Sequence, residues 1–151
     1  RFQELPVYGT SDFREGAVSI FEEATPLYVD FKFIQAHCFQ GKERDLAQPA
    51  SFAKTDESQS IVFELADTER NLKMHITYTI FNGLGTITRK QKIINLDAKP
   101  RKLERLLSGV LELRNQDFEL LHLSGAWLKE RHKVHTPYSG DNQCWLVKRG
   151  F

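Results

Sequence analysis

Leu72-Lys73-Met74-His75-Ile76-Thr77-Tyr78-Thr79-Ile80-Phe81-Asn82-Gly83 is the stretch on which the fold turns. Leu72, Met74, Ile76, Tyr78 and Ile80 alternate with Lys73, His75, Thr77, Thr79 and Phe81, and a period of two places each set on one face of a strand. One face asks for a core and the other does not, the pattern of a half-buried antiparallel strand. Asn82-Gly83 follows at once. An Asn-Gly pair between two alternating runs predicts a two-residue type I′ hairpin, because both central positions of that turn need positive φ. The return strand is expected over Gly85 to Leu96, with Ile87, Arg89, Gln91 and Ile93 on one face and Thr86, Thr88, Lys90, Lys92 and Ile94 on the other. Its many cations point to one solvated face.

Upstream, residues 1 to 16 are punctuated by Pro6, Gly9 and Gly16 and read as a loop or surface arm. Ala17 to Phe21 is a short extended run. After Pro26, Leu27, Val29, Phe31 and Phe33 alternate with Tyr28, Asp30, Lys32 and Ile34, which predicts one strand continuing to Phe39 and stopping at Gly41-Lys42. Glu43 to Ser60, with Pro49 and no sustained period, is a long surface loop of the kind that is either disordered or functional. Ser60 to Ala66 is a short strand.

Downstream of the hairpin, Asn95 to Pro100 is a turn. Leu103, Leu106, Leu107, Val110 and Leu111 then have the spacing of an amphipathic helix. The same segment also alternates, and Ser108-Gly109 inside a helix would cost about 1 kcal/mol relative to Ala, so periodicity leaves helix and strand both open. Phe118 to Arg131 runs from apolar residues through Gly125 to Trp127 and alternating charge. One reading is a buried strand and turn with Trp127 filling the core. The other is a surface on which Trp127, Lys129, Glu130 and Arg131 meet a sugar or another domain. A turn over Pro137 to Asn142 and a last strand from Gln143 to Lys148 complete about nine strands with at most one helix. Neither a repeat nor an internal linker is visible, so residues 1–151 read as a single all-β domain.

The chain has 151 residues, enough to bury roughly two thirds of its unfolded surface without staples. A charged fraction of 27% beside 40% hydrophobic residues excludes the disordered class. Twenty-one Lys and Arg against 20 Asp and Glu give a net charge of +1, which argues against nucleic acid. No apolar run approaches a membrane span. The two cysteines, Cys38 and Cys144, sit in apolar runs with no ligand spacing, which predicts buried thiols and a reducing compartment. The chain starts at Arg1 in mid-pattern, as if taken from something longer.

Catalytic signatures are missing. Asp117 and Glu119 lie nearest the Trp127 segment but read as solvated strand residues rather than a glycosidase pair. Among the five histidines, His132 and His135 are three apart, and strand residues at that spacing face opposite sides, so no metal or cofactor is expected. No nucleophile elbow, phosphate loop or dinucleotide fingerprint is present. The residues describe a non-catalytic all-β domain.

Several blocks carry a family resemblance. Gln3-Glu4-Leu5-Pro6-Val7-Tyr8-Gly9 running into Asp12-Phe13-Arg14, Tyr78-Thr79-Ile80-Phe81 with Ile87-Thr88-Arg89, Leu106-Leu107-Ser108, Phe118 to Arg131, and Lys148-Arg149-Gly150 resemble, in order, segments of the N-terminal domain of glycoside hydrolase family 36 α-galactosidases. Gly41 to Ala50 keeps only the ends of the corresponding family loop, and Lys129 stands where Arg is usual. The resemblance implies an antiparallel β-supersandwich of the galactose-mutarotase-like kind, with Leu103 to Leu113 a strand. It also implies that both catalytic aspartates belong to a (β/α)₈ barrel outside these residues, so this chain alone is expected to be inactive. Its partners would be that barrel, possible further copies in a homo-oligomer, and the α-galactoside substrate of the parent enzyme. Asp12, Arg14, Trp127 and Arg131 are the candidate sugar-side or interdomain surface. A sugar-binding or structural module that stands alone is the competing class.

Overall fold

The structure, a computed structural model, describes residues 4–6, 16–44, 50–110 and 118–137. Among them are nine strands and no helix: β1 (Val18–Glu22), β2 (Thr25–Leu27), β3 (Lys32–Gln40), β4 (Ser58–Asp67), β5 (Leu72–Phe81), β6 (Thr86–Asn95), β7 (Lys102–Leu106), β8 (Glu119–Ala126) and β9 (Lys129–Pro137). All pairings are antiparallel. They form sheets ordered β2-β1-β7, β3-β4-β5-β6 and β8-β9. The chain divides into two compact units, Arg1–Leu111 and Glu112–Phe151.

In the first unit, direct pairing fixes which side chains share a face. Leu65, Met74 and Ile93 lie across from one another on β4, β5 and β6, as do Phe63, Ile76 and Gln91. Leu72, Met74 and Ile76 are buried and join Val18 and Ile20 of β1 and Val29 in one core, with Leu5, Phe31, Phe63, Leu65, Ile93 and Leu106 packed against it. The small sheet therefore closes the apolar face of the four-stranded sheet, which is a β-sandwich. Each fully buried aliphatic side chain contributes about 1.5–3 kcal/mol. An aromatic row, Phe33, Phe63 and Tyr78, extends the core face with ring centroids 6.5 and 6.2 Å apart.

The strand expected from Leu27 to Phe39 is in fact two. β2 belongs to the small sheet and β3 to the large one, and residues 28–31 cross between them with Val29 buried in the core. Asp67 explains the break: its buried carboxylate accepts the Asp30 N–H at 2.9 Å, so that donor serves the crossing and not a ladder. The same carboxylate accepts the Arg70 N–H at 3.1 Å and Arg70 Nη1 at 3.2 Å, tying the crossing to the β4–β5 turn. Ile34 is the extra residue of a bulge where Phe33 pairs with Leu65 and Gln35 with Glu64.

The β5–β6 hairpin pairs as predicted, but its turn differs. Phe81 opposes Thr86, leaving a four-residue loop in which Gly83 (φ 75°) and Gly85 (φ 56°), not Asn82, take positive φ. Between Leu103 and Leu111, the strand alternative holds as far as Leu106, and the helix does not form. Residues 107–110 are irregular; the remainder of the expected strand, the turn from Pro137 onward and the strand from Gln143 to Lys148 lie largely or wholly outside the described residues. Cys38 is exposed on β3 rather than buried, because β3 is an edge strand there; Cys144 lies outside the described residues. No helix among the described residues is long and apolar enough to cross a membrane.

Candidate interaction surfaces

The Phe118 to Arg131 segment forms the β8–β9 hairpin of the second unit. Ala126 pairs with Lys129, so Trp127 and Leu128 form its tip. Trp127 is 91% exposed and Leu128 is 89% exposed, which overturns the reading of Trp127 as core filling. Leu128 has φ 62°, a left-handed conformation that costs a branched residue about 1–2 kcal/mol. Between the Ser124–His132 and Ala126–Lys129 pairs, β9 carries one extra residue, and Arg131 sits in that bulge at φ 64°. A bulge re-aims the side chain it carries, so the sequence puts an indole and a guanidinium on a bent, open ribbon. Glu119 is not half of a carboxylate pair among the described residues. It bonds to His135 Nδ1 at 2.9 Å across the hairpin. Asp12, Arg14 and Asp117 lie outside the described residues. No group of His, Cys, Asp or Glu with metal-site geometry occurs among the described residues.

A polar cluster that sequence patterns did not single out sits at the β6 edge. Arg89 stands directly across from Tyr78, and its Nε donates to Glu4 Oε1 at 2.8 Å and to the Tyr78 hydroxyl oxygen at 3.0 Å. Arg89 Nη1 donates to the Ser108 carbonyl, and the Tyr78 hydroxyl donates to Glu4. Burial, then the Glu4 hydrogen bond, push the Tyr78 hydroxyl above its ordinary pKa. The cluster joins the N-terminal arm, the hairpin and the segment after β7. Its only signal in the sequence is the Tyr78 and Arg89 pair, which becomes visible once the hairpin register is known.

On the other face of the large sheet, polar residues are buried by the arm that precedes β4. Ser60 Oγ donates to the Gly41 carbonyl at 2.7 Å and shares a 2.8 Å hydrogen bond with Thr79. Asn82 Nδ2 donates to the Asp56 carbonyl at 2.9 Å, and the Asn82 N–H to that of Glu57 at 2.8 Å. Farther along this face, Gln35 Nε2 donates to Glu64 Oε2 at 2.9 Å. That bond, with His75, His37 and Lys73 nearby, holds the Glu64 carboxyl below its ordinary pKa, against desolvation. Lys42 Nζ donates to the Ser51 carbonyl and hydroxyl at 2.6 and 2.7 Å. Burial, then the Lys90 charge, push Lys42 below its ordinary pKa.

The pairing of the strands and the shared core define an antiparallel β-sandwich domain. Residues 1–144 match the family model described as the glycosyl hydrolase family 36 N-terminal domain, and the chain belongs to that family. It is 30% identical over 149 residues to the α-galactosidase AgaA of Geobacillus stearothermophilus, covering 98% of this chain and 20% of that protein. It is 28% identical over 148 residues to the bifunctional α-galactosidase/sucrose kinase AgaSK of Mediterraneibacter gnavus, covering 98% of this chain and 16% of that protein. The crystal structure of AgaA superposes with a TM-score of 0.85 at 29% identity, over 91% of this chain and 19% of that one. An AgaA variant in complex with raffinose gives a TM-score of 0.84. The chain thus spans about one fifth of the length of AgaA.

Proposed function

We propose that this chain is the N-terminal β-sandwich of a retaining α-galactosidase and that it serves as scaffold for a catalytic barrel. The observation that supports this most directly is the match of the sandwich to the N-terminal part of AgaA at a TM-score of 0.85, while the chain covers 19% of that structure. In this reading the parent protein hydrolyses terminal α-galactosides in the cytoplasm. This chain holds the barrel, supports contacts between copies, and lends a loop to the rim of the active site. A family-length protein carrying this chain should release nitrophenol from a nitrophenyl α-galactoside and not from the β-anomer. No release from the α-anomer by a folded protein refutes the assignment.

A second reading is favoured by the exposed Trp127 at the hairpin tip. The chain would then bind sugar itself, with Trp127 as stacking platform and Asp12, Arg14 and Arg131 as hydrogen-bonding groups. Galactose titration followed by Trp fluorescence separates the two. Saturable quenching lost in Trp127→Ala supports the module, and unchanged fluorescence supports the scaffold.

A further inference from the structure

The inner face of the large sheet is covered over only part of its area. Along β5, Met74 and Ile76 are buried, yet Ile80, on the same face nearer the hairpin, is exposed, and so is Ile87 directly across from it on β6. Burial falls off across the strands as well. Met74 pairs with Leu65 and Leu65 with Phe33, and Phe33 on β3 is 61% exposed. Ala36 pairs with Phe63 and Cys38 with Ile61, so both share this face, and both are exposed. The small sheet therefore covers β5 around Met74 and stops short of β3 and of the hairpin end.

Two features set this area apart from apolar residues scattered over a surface. First, it is continuous with the core. The Phe33 ring centroid lies 6.5 Å from that of Phe63, which packs on the buried cluster, so a group covering Phe33 occupies the layer of the small sheet. A sheet face of this composition is stable against a second layer and not against water. Second, β3 has a neighbour on one side alone among the described residues. Open edges are normally guarded by charge, Pro or a bulge. In β3 the guards, Lys32 and the Ile34 bulge, stand at its start, and Gln35 to Gln40 contains no Lys, Arg, Asp, Glu or Pro.

We infer that further strands of the parent polypeptide, with alternating apolar residues, cover Phe33, Ala36, Cys38, Ile80 and Ile87 in the layer of the small sheet and pair with the open edge of β3. The continuity of this face with the core calls for added strands of the same sandwich, because a separate domain resting on an outer surface would not enter that layer. The chain spans 20% of AgaA and 16% of AgaSK, so a polypeptide of that length has ample sequence to supply them. The inference rests on the reading of this chain as one part of a longer α-galactosidase.

Cys38 reports on this coverage without any substitution. In a family-length protein carrying this chain, thiol labelling of Cys38, read by peptide mass mapping, should be at least about tenfold slower than in the same protein unfolded in urea, because a covered thiol reacts only through local opening. Backbone amides of Lys32–Gln40 should be protected from exchange as well. Ile87→Thr keeps the β-branched shape that suits a strand, so it should lower the Tm of the family-length protein by several degrees only where Ile87 is covered. Labelling of Cys38 as fast as in urea, or an unchanged Tm in Ile87→Thr, overturns the proposal. Protection that vanishes on dilution to the monomer also overturns it, since the cover is then a second copy. Hydrolysis of a nitrophenyl α-galactoside by the same preparation tests the underlying reading separately. Activity with fast Cys38 labelling removes this proposal and leaves that reading intact, and no activity with slow labelling does the reverse.

Discussion

Asp67→Ala is the substitution that probes most sharply how the two sheets are joined. The Asp67 side chain is 2% exposed and accepts from the Asp30 N–H, the Arg70 N–H and the Arg70 guanidinium. Truncation orphans two partly buried backbone donors, each costing about 1–1.5 kcal/mol, the low end for an unsatisfied group. The Arg70 pair adds at most about 0.5–1 kcal/mol, because Arg70 keeps 29% of its side-chain surface in solvent and is screened there. The expected loss is therefore about 3 kcal/mol, or roughly 12 °C in Tm for a unit of this size. Asp67→Asn keeps one acceptor oxygen but turns an amide donor toward another donor, so about half of that loss is expected. Urea unfolding followed by far-UV circular dichroism reads both. A loss below about 1 kcal/mol in the Ala variant, with unchanged m-value, would show that the crossing at residues 28–31 does not depend on this carboxylate.

Three further outcomes are expected. Met74→Ala, at a side chain with 0% exposure in the shared core, should cost about 2–5 kcal/mol in the same urea experiment. Gly41→Ala should cost at least about 1–2 kcal/mol, because Gly41 has φ 88° and a Cβ there would stand 3.2 Å from Thr55 Cα; a neutral result would mean the arm is not pinned. Tyr78 binds its hydroxyl proton more tightly in the folded than in the unfolded chain, so its stabilising difference is complete below the ordinary value of 10.0 and lost as pH rises through the raised folded value. Urea midpoints across alkaline pH should fall, and Tyr78→Phe should flatten that fall.

The hairpin of β5 and β6 was legible because its two faces differ in polarity along the whole length, and pairing places Met74 beside Ile93 as the alternation demands. The turn was not, since Gly85 supplies a second left-handed position and allows a four-residue loop where Asn82-Gly83 suggested two. Alternation from Leu27 to Phe39 is continuous, yet the chain changes sheets at Val29. Period two records which way side chains point but not which strand they pair with. Ser60 and Thr79 read as surface positions and are buried, because the arm returns over them, its Gly41 carbonyl accepts from Ser60, and Ser60 shares a hydrogen bond with Thr79 across the strands. For Trp127 the sequence offers an indole after Gly125 with no indication of direction. Its exposure follows from the two-residue tip formed when Ala126 pairs with Lys129.

Family membership came from ordered blocks along the chain, whereas the groups that stabilise the sandwich are mostly pairs that only the fold brings together. Glu22, Asp97 and Arg101 show this. The Arg101 guanidinium donates to the Arg70 carbonyl and to Asp97 Oδ2 at 3.2 Å and lies 3.6 Å from Glu22 Oε2, linking both sheets through one cation. A buried guanidinium held this way is costly to leave unpaired, so removing either acid destabilises more than an exposed pair would.

The central claim is that this sandwich supports galactoside hydrolysis without performing it. Nitrophenol release from a nitrophenyl α-galactoside by the purified, folded 151-residue chain tests it most directly. The account predicts no release above the buffer rate at any substrate concentration. Saturable release that survives repurification of the chain would contradict it.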